Sequence, residues 1–599
     1  MRLHSLKIKG FRRLKDVEVL FGDTTFLIGQ NNCGKSSIIK AIEALLSSDK
    51  RLSQEDYYSI LDNETGEVKT EENIVVLEAE FRNVSEEANN WRGFKGRIFN
   101  YDNTEGDETG LSITYRKTYE LGKDVIIEMK TKKRTKKEIF FECKKPQDYI
   151  DNGIDSNLIE ELFPNALNKN ITSTNQSKLE DIDDIWDISE EEEWFKNPGG
   201  IPGNVLKMLP RFLLIPVGIG SENIQGSKGV LSDTLNELFQ TVRENSENFR
   251  QAQHYLNELS KELDPTDNDS EFGKMMTDLN GVLSSVFPDS KLHATTSLSE
   301  PTNLKPSFNV QMSSNVRTSI ENQGTGMIRS AVFGMLRYRQ KFLSRNDDNP
   351  RSLLICFEEP EVYLHPSAAN QMRNTIYELS SSSSQIIATT HSPYLIDISR
   401  RPRQILNRLK NDDNFINCDT FSVSEKFREL QENDKDYIKM LLKIDDYISR
   451  VFFTKKVIII EGDTEEIVIK ESLRRLDREQ YFRIVSDFEI IKSRGKATII
   501  SLVKYLVSMG IEPIVVHDKD SNTPNAERFN EPILQALNGR GRRIFMENNI
   551  EEELEYSAPS SDKPYNAYRK TQEWGATWEN LPERWKNKMK EIFGNLYIS

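Results

Sequence analysis

Four carboxylates in the C-terminal part of the chain have the types and spacing of a cation site. The stretch "IEPIVVHDKDSN", residues 511 to 522, runs apolar from Ile514 to Val516, stops at His517, and then offers Asp518 and Asp520. In "VIIIEGDTEE", Glu461 likewise ends an apolar strand, and Gly462 behind it permits a tight turn. Glu465, four residues on, falls one turn into the following helix on the same side. Carboxylates at adjacent strand ends form a binding crevice, and they cannot all stay ionised within a few ångströms of one another without cations. Oxygen-only ligands select Mg²⁺ or Mn²⁺ over zinc. One or two such ions are the apparatus of phosphodiester hydrolysis, one stabilising the attacking oxygen and the other the leaving one.

A second constellation lies near the N-terminus. Gly29 to Ser36, within "GQNNCGKSS", fits G-x-x-x-x-G-K-[ST] between an apolar strand and a helical pattern, the context this phosphate loop requires. The reading assigns Gly29, Asn31, Asn32, Gly34, Lys35, Ser36 and Ser37 to a nucleotide. Backbone N–H groups curve around phosphate oxygens, Lys35 adds a charge at the β/γ-phosphates, and Ser36 can ligate Mg²⁺. Such a loop needs a metal-side carboxylate and a group that polarises water. "LLICFEEPE" supplies Glu358 at a strand end for the first and Glu359 for the second, and His391 in "ATTHSP" is placed to sense the γ-phosphate.

The elements that must carry these residues can be read from periodicity. "LHSLKIKGF" and "DVEVLF" alternate as strands, "TTFLIG" leads into the phosphate loop, and "SSIIKAIEALLSS" has helical spacing. Four β-type stretches between 73 and 145 predict an antiparallel sheet attached to a parallel core. Residues 146–200, with the acidic run "EDIDDIWDISEEEE", read as exposed and partly mobile. Residues 231–290 have one apolar stripe among charges and predict a helical hairpin, an arrangement suited to dimerisation. Parallel-sheet pattern resumes at "RSLLICFEEPE" and "SQIIATTHSP", and strands alternating with helices after about 450 predict a second α/β domain.

Bulk properties narrow the classes. A chain of 599 residues exceeds one core and predicts two or three domains. No apolar run approaches the ~20 residues of a membrane span, and no apolar leader follows the first basic residues, which predicts a soluble, cytoplasmic protein. Cys33, Cys143, Cys356 and Cys418 are scattered, which supports neither a disulfide framework nor a zinc site. A formal charge of −15 makes any nucleic-acid contact local. "KTKKRTKK" (130–137), "SRRPRQILNRLK" (399–410) and "NGRGRR" (538–543) are the basic candidates, each read more readily as a solvated face.

The N-terminal set resembles ATP-binding-cassette ATPases of the SMC and RecF type. The resemblance rests on the separation of the phosphate loop from "FEEPE" by some 320 residues, on the following "VYLHPS", and on His391. It implies a signature motif closing on a partner subunit's nucleotide, matched by "NQGTGMIRS" with Gly324 and Gly326; Glu358 stands where aspartate is more usual. The strand ending in Glu461-Gly462, the strand ending in Asp518-x-Asp520 and "RGKATI" between them look like a Toprim domain. Together, in this order, the two resemble the OLD (overcoming lysogenization defect) ATPase-nucleases, a family that includes the Gabija nuclease subunit. The resemblance implies an α/β architecture: an ABC-type P-loop ATPase at 1–225 and 301–420, a helical insertion at 226–300, and a Toprim domain at 421–599. It further implies Glu461, Glu465, Asp518 and Asp520 as metal ligands, Glu552 as a further acid with Glu551 and Glu553 as rivals, and Lys563, with Lys570 as its rival, stabilising phosphate charge. ATP, two Mg²⁺ or Mn²⁺ ions, DNA, a homodimer or higher oligomer, accessory defence partners and an antiphage DNA endonuclease or nickase activity are implied with them. The rival reading is an SMC- or RecF-like DNA-binding ATPase whose Toprim domain is non-catalytic.

Overall fold

The structure is a computed structural model. It describes residues 1–217 and 352–599 apart from short interruptions, the longest being 62–67, 104–107 and 173–177, and only isolated pieces of 218–351. Two compact units are distinguished, one formed by Met1–Val217 with Asn349–Ser599 and one by Gly218–Asp348. Of the second unit the described elements are the antiparallel strands Gln311–Ser313 and Arg317–Ser319. Most of the expected helical insertion at 226–300 lies outside the described residues, as do the signature glycines Gly324 and Gly326 and the expected borders near 225 and 300.

Strands with unbroken apolar runs build a six-stranded sheet ordered Arg211–Ile215, Leu353–Glu358, Ser384–Thr389, Thr24–Gly29, Gln404–Asp412, Phe415–Ser422. The first five run parallel and the last antiparallel. Burial along Thr24–Ile28, Leu353–Phe357 and Ser384–Thr389 is continuous, as it must be for strands covered on both faces. Strands that alternate instead, such as Ile74–Arg82, form a seven-stranded antiparallel sheet with one face on the core. The helix Lys35–Leu46 lies between the two sheets: Ile38, Ile42 and Leu45 join Leu6, Ile8 and Phe81 on one side and Leu27, Cys356 and Ile387 on the other. The phosphate loop is thereby fixed at both ends. The expected domain border at 420/421 falls inside the closing strand Phe415–Ser422.

The second α/β region is a four-stranded, all-parallel sheet ordered Phe488–Lys492, Lys456–Ile460, Ile514–Asp518, Arg542–Met546. Its core collects Ile458, Ile460, Val516 and Ile544 from the strands with Val468, Trp585 and Met589 from the helices. The central strands therefore deliver Glu461 and Asp518 to one edge, side by side.

The acidic run was expected to be loose, and it is not. Trp186–Lys196 is an edge strand of the antiparallel sheet, paired with the basic strand Ile126–Lys136. Lys130, Lys132 and Lys133 pair with Glu192, Glu190 and Glu191 respectively. The composition that reads as disorder in isolation is half of a charge-complementary ribbon, and cross-strand pairing of opposite charges supplies the order that apolar burial does not.

Candidate functional site

In the N-terminal site the strand Thr24–Gly29 leads into the loop and Lys35–Leu46 leaves it. Gly29 (φ 144°) and Gly34 (φ 92°) hold conformations that side chains rarely adopt, and a Cβ on Gly29 would meet the Leu409 carbonyl oxygen at 2.4 Å. The Lys35 ammonium lies within the loop, donating to the carbonyls of Gly29 (2.9 Å) and Gln30 (2.8 Å). Burial pulls its pKa below the usual lysine range. Asn31, Asn32 and Ser36 are exposed at the loop, and Ser37 is buried behind it.

Glu358 ends its strand beside Ser384–Thr389, the strand that separates it from the phosphate loop. Glu359 has φ 41°, held there by backbone N–H bonds to the Thr389 carbonyl (3.1 Å) and hydroxyl (3.0 Å). Its Oε1 lies 3.6 Å from Nε2 of His391. Burial, and then the Lys35 charge, push His391 below the ordinary histidine pKa, so the ring is neutral at neutral pH. Glu361 had no role in the sequence reading. The structure turns it back at Pro360, and its Oε1 accepts from the Thr390 hydroxyl (2.7 Å) and the His391 amide (3.0 Å). The signal was present in the third acid of "EEPE", set apart by a proline that favours a turn.

In the C-terminal site Glu461 leaves the strand Lys456–Ile460, and its Oε1 accepts the Asp518 amide at 3.0 Å. The crossover loop closes over it, with the Gly495 amide on the Glu461 carbonyl (3.2 Å) and Ser493 Oγ on the Ile460 carbonyl (2.9 Å). Glu465, buried in the first turn of Asp463–Leu473, accepts the Gly462 amide at 3.1 Å. His517 lies 2.7 Å through Nδ1 from the Asp518 carbonyl. Burial holds its pKa at about 4, so a neutral ring donates there and fixes the strand end. Asp520 takes φ 54°, a left-handed conformation that aspartate tolerates, and turns towards Lys496, whose Nζ lies 2.7 Å from its Oδ2.

The sequence candidates Glu552 and Lys570 lie elsewhere. Asn549 caps the short helix Ile550–Glu553 by accepting the Glu552 amide, and the Glu552 carboxylate is exposed and bonded to Asn548 (2.8 Å). Glu551 is the acid that enters the cluster, 1% exposed, with Lys563 Nζ 3.4 Å from its Oε1. An asparagine three residues before a glutamate is a helix-start signal, and it could have assigned Glu552 to the helix end. Lys570 pairs with Glu573. Lys496, the lysine of "RGKATI", carries no role in the sequence reading, and it is a buried member of the cluster.

The electrostatics of these acids are those of a cation site. Burial raises Asp518 to about 8, and repulsion from Glu465, Glu461, Asp520 and Glu551 adds to it. Burial likewise raises Glu461 to about 7, against the pull of Lys496, and moves Glu465 upward. Asp518 Oδ1 and both Glu551 carboxylate oxygens are buried with no hydrogen-bond partner among the described residues. Among those residues no three His, Cys, Asp or Glu side chains are gathered closely enough to hold a metal ion as they stand. Lys496 and Lys563 balance part of the charge of the cluster, through Asp520 and Glu551. The oxygen-only donors and the orphaned buried oxygens fit a hard divalent cation.

The basic stretches are largely engaged internally. Besides the ribbon, Arg403 pairs with Glu425, Arg408 and Lys410 with Asp419, and Arg542 with the carbonyls of Glu591 and Ile592. Among the described residues no helix is long and apolar enough to cross a membrane, and the four cysteines are free thiols.

Comparison with known proteins agrees with this division. Residues 1–396 match the AAA ATPase domain family AAA_15, and residues 452–520 match the Toprim domain of overcoming lysogenization defect protein-like chains. The Old nuclease of Escherichia phage P2 is 24% identical over 534 residues, spanning 87% of this chain and 77% of that protein. The OLD nuclease of Thermus scotoductus is 25% identical over 228 residues, 35% of this chain and 42% of that one. Endonuclease GajA of Bacillus cereus is 24% identical over 286 residues, 43% of this chain and 40% of that one. With its phosphate loop, glutamate string and His391 in one matched region and its paired strand-end acids in the other, the chain belongs to the AAA ATPase domain family and carries an OLD-like Toprim domain.

Proposed function

We propose that this chain is a cytoplasmic, ATP-binding, divalent-metal-dependent DNA endonuclease or nickase that acts in antiphage defence as a homodimer or higher oligomer. The observation that carries the reading is the pair of buried carboxylate oxygens with no hydrogen-bond partner, Asp518 Oδ1 and Glu551 Oε2, beside Glu461 at the adjacent parallel strand end and Glu465 in the helix turn that follows it. In this reading Glu461, Glu465, Asp518, Asp520 and Glu551 hold the metal. Bound there, Mg²⁺ or Mn²⁺ would activate a water and offset charge at the scissile phosphate. Lys563, on the exposed rim, stabilises the charge that develops on the phosphate. In the ATPase, Lys35 and Ser36 take the phosphates and their Mg²⁺ with Glu358, Glu359 orients water, and His391, braced by Glu361, reads the γ-phosphate.

The two sites have a packed route between them, which supports control of cutting by nucleotide state. The turn Pro393–Leu395, two residues after His391, packs on Asp446–Phe452, and Ser449 Oγ donates to the Ile396 carbonyl (3.3 Å). Asp446–Phe452 leads directly into the strand that ends at Glu461. A non-catalytic Toprim domain would be expected to pair off its acids, whereas Asp518 Oδ1 and Glu551 Oε2 have neither a hydrogen bond nor an ion pair among the described residues. The test is cleavage of supercoiled plasmid by the purified chain after chelation. Cutting restored by Mn²⁺ or Mg²⁺ supports the reading, and cutting indifferent to chelator contradicts it.

A further inference from the structure

Lys496 is the buried cation of the acid cluster, and its surroundings hold it there. Its side chain is 5% exposed, with Nζ 2.7 Å from Asp520 Oδ2 and 3.1 Å from Asn530 Oδ1. Asn530 is itself anchored, donating to the Lys519 carbonyl (2.7 Å) while its own carbonyl accepts from Arg543 (2.7 Å). The helix Lys496–Ser508 that carries the ammonium is tied down further along by Ser501 on Asp434 (2.7 Å) and Tyr505 on the Val423 carbonyl (3.2 Å). The ammonium pairs with Asp520 and pulls on Glu461, while Glu465, Asp518 and Glu551 complete the acid cluster, with Lys563 against Glu551 as its second lysine.

We propose that Lys496 is a resident counter-ion that occupies Asp520 in the metal-free chain and competes with the divalent cation for it. This rests on the metal-site reading above. A lysine fixed on a ligand carboxylate keeps the acids together in the absence of metal, and it opposes a second cation by Coulomb repulsion at short range. The lysine is thus a positioning residue that sets metal affinity, and the site loads only when the metal concentration is high enough to displace it.

The test is Mn²⁺ binding to the full-length protein without DNA, read from the loss of the free-ion EPR signal at about pH 8.5. Lys496→Met, which keeps the length and loses the charge, is expected to bind roughly tenfold more tightly than wild type, and Lys496→Arg to stay near wild type. A lysine that only supports the fold would give the reverse order. Asn530→Ala removes the second acceptor of the ammonium without touching a carboxylate, and serves if Lys496→Met fails to fold; a tightening of a few-fold is expected. Binding by Lys496→Met, or by Asn530→Ala in its place, that is equal to or weaker than wild type overturns the proposal. Wild type that takes up no Mn²⁺ overturns the metal-site reading and the proposal with it.

Discussion

Glu551 and Glu552 are adjacent acids with opposite surroundings, and they separate the two roles cleanly. Glu551 is buried at the cluster with Lys563 as its ion-pair partner, whereas Glu552 is exposed and bonded to Asn548. Glu551→Gln should lower metal-dependent cleavage by on the order of 100-fold, and Glu552→Gln should leave it within a few-fold of wild type, as plasmid nicking rates will show. The raised acids also give a pH signature. Asp518 and Glu461 have folded pKa values near 8 and 7, above their unfolded values, so they contribute stability at low pH that is lost as pH rises through that range. Metal binds the ionised forms and reverses the effect. The melting temperature of the metal-free protein should therefore fall between about pH 4 and 8, while the increase produced by Mn²⁺ grows over the same interval. Asp518→Asn should flatten both trends. Glu461 and Asp518 were legible in sequence because apolar runs that stop at a carboxylate are distinctive, and Glu465 and Asp520 followed from their spacing to those two. Glu361 and Lys496 were given no role and Glu551 stood only as a rival of Glu552, because their positions depend on a turn, a crossover loop and a cap that bring distant segments together.

At the scale of elements, sheet type followed from the pattern of the strands: alternation gave the antiparallel sheet and continuous apolar runs the two parallel ones. What misled was the acidic run at 180–193, since charge density signals disorder only when no opposite partner is within reach. The partner here lies in the strand Ile126–Lys136, some 58 residues earlier at the Lys132–Glu190 pair. Exposed pairs of this kind contribute little stability each, so replacing Glu190, Glu191 and Glu192 together by Gln should shift the melting temperature only slightly. It should also uncover the lysines and tighten nonspecific DNA binding, with a steeper salt dependence measured by fluorescence anisotropy. By contrast, Ile460 is fully buried in the strand that delivers Glu461, and Ile460→Ala should cost about 2–5 kcal/mol of unfolding free energy.

For the whole molecule, the central question is how a nucleotide site and an acid cluster on one chain are joined. Pro393–Leu395 packs on Asp446–Phe452, which precedes the strand that ends at Glu461, and the helices Val423–Glu429 and Glu432–Ile444 pack on the helix that starts at Lys496. Lys35→Ala should accordingly abolish any effect of ATP on cleavage while leaving Mn²⁺ binding at the acid cluster within a few-fold of wild type. The order of the two regions was readable from sequence, since each motif lies in its own strand–loop–helix context. Their mechanical connection was not, because it is built from short turns with no periodic signature. The most direct measurement is the nicking of supercoiled plasmid in Mn²⁺ by wild type and by Asp518→Ala, with folding of both verified by melting. Nicking by wild type and none by the variant is the predicted result, and equal nicking by both would contradict the assignment of the acid cluster as the site that cuts.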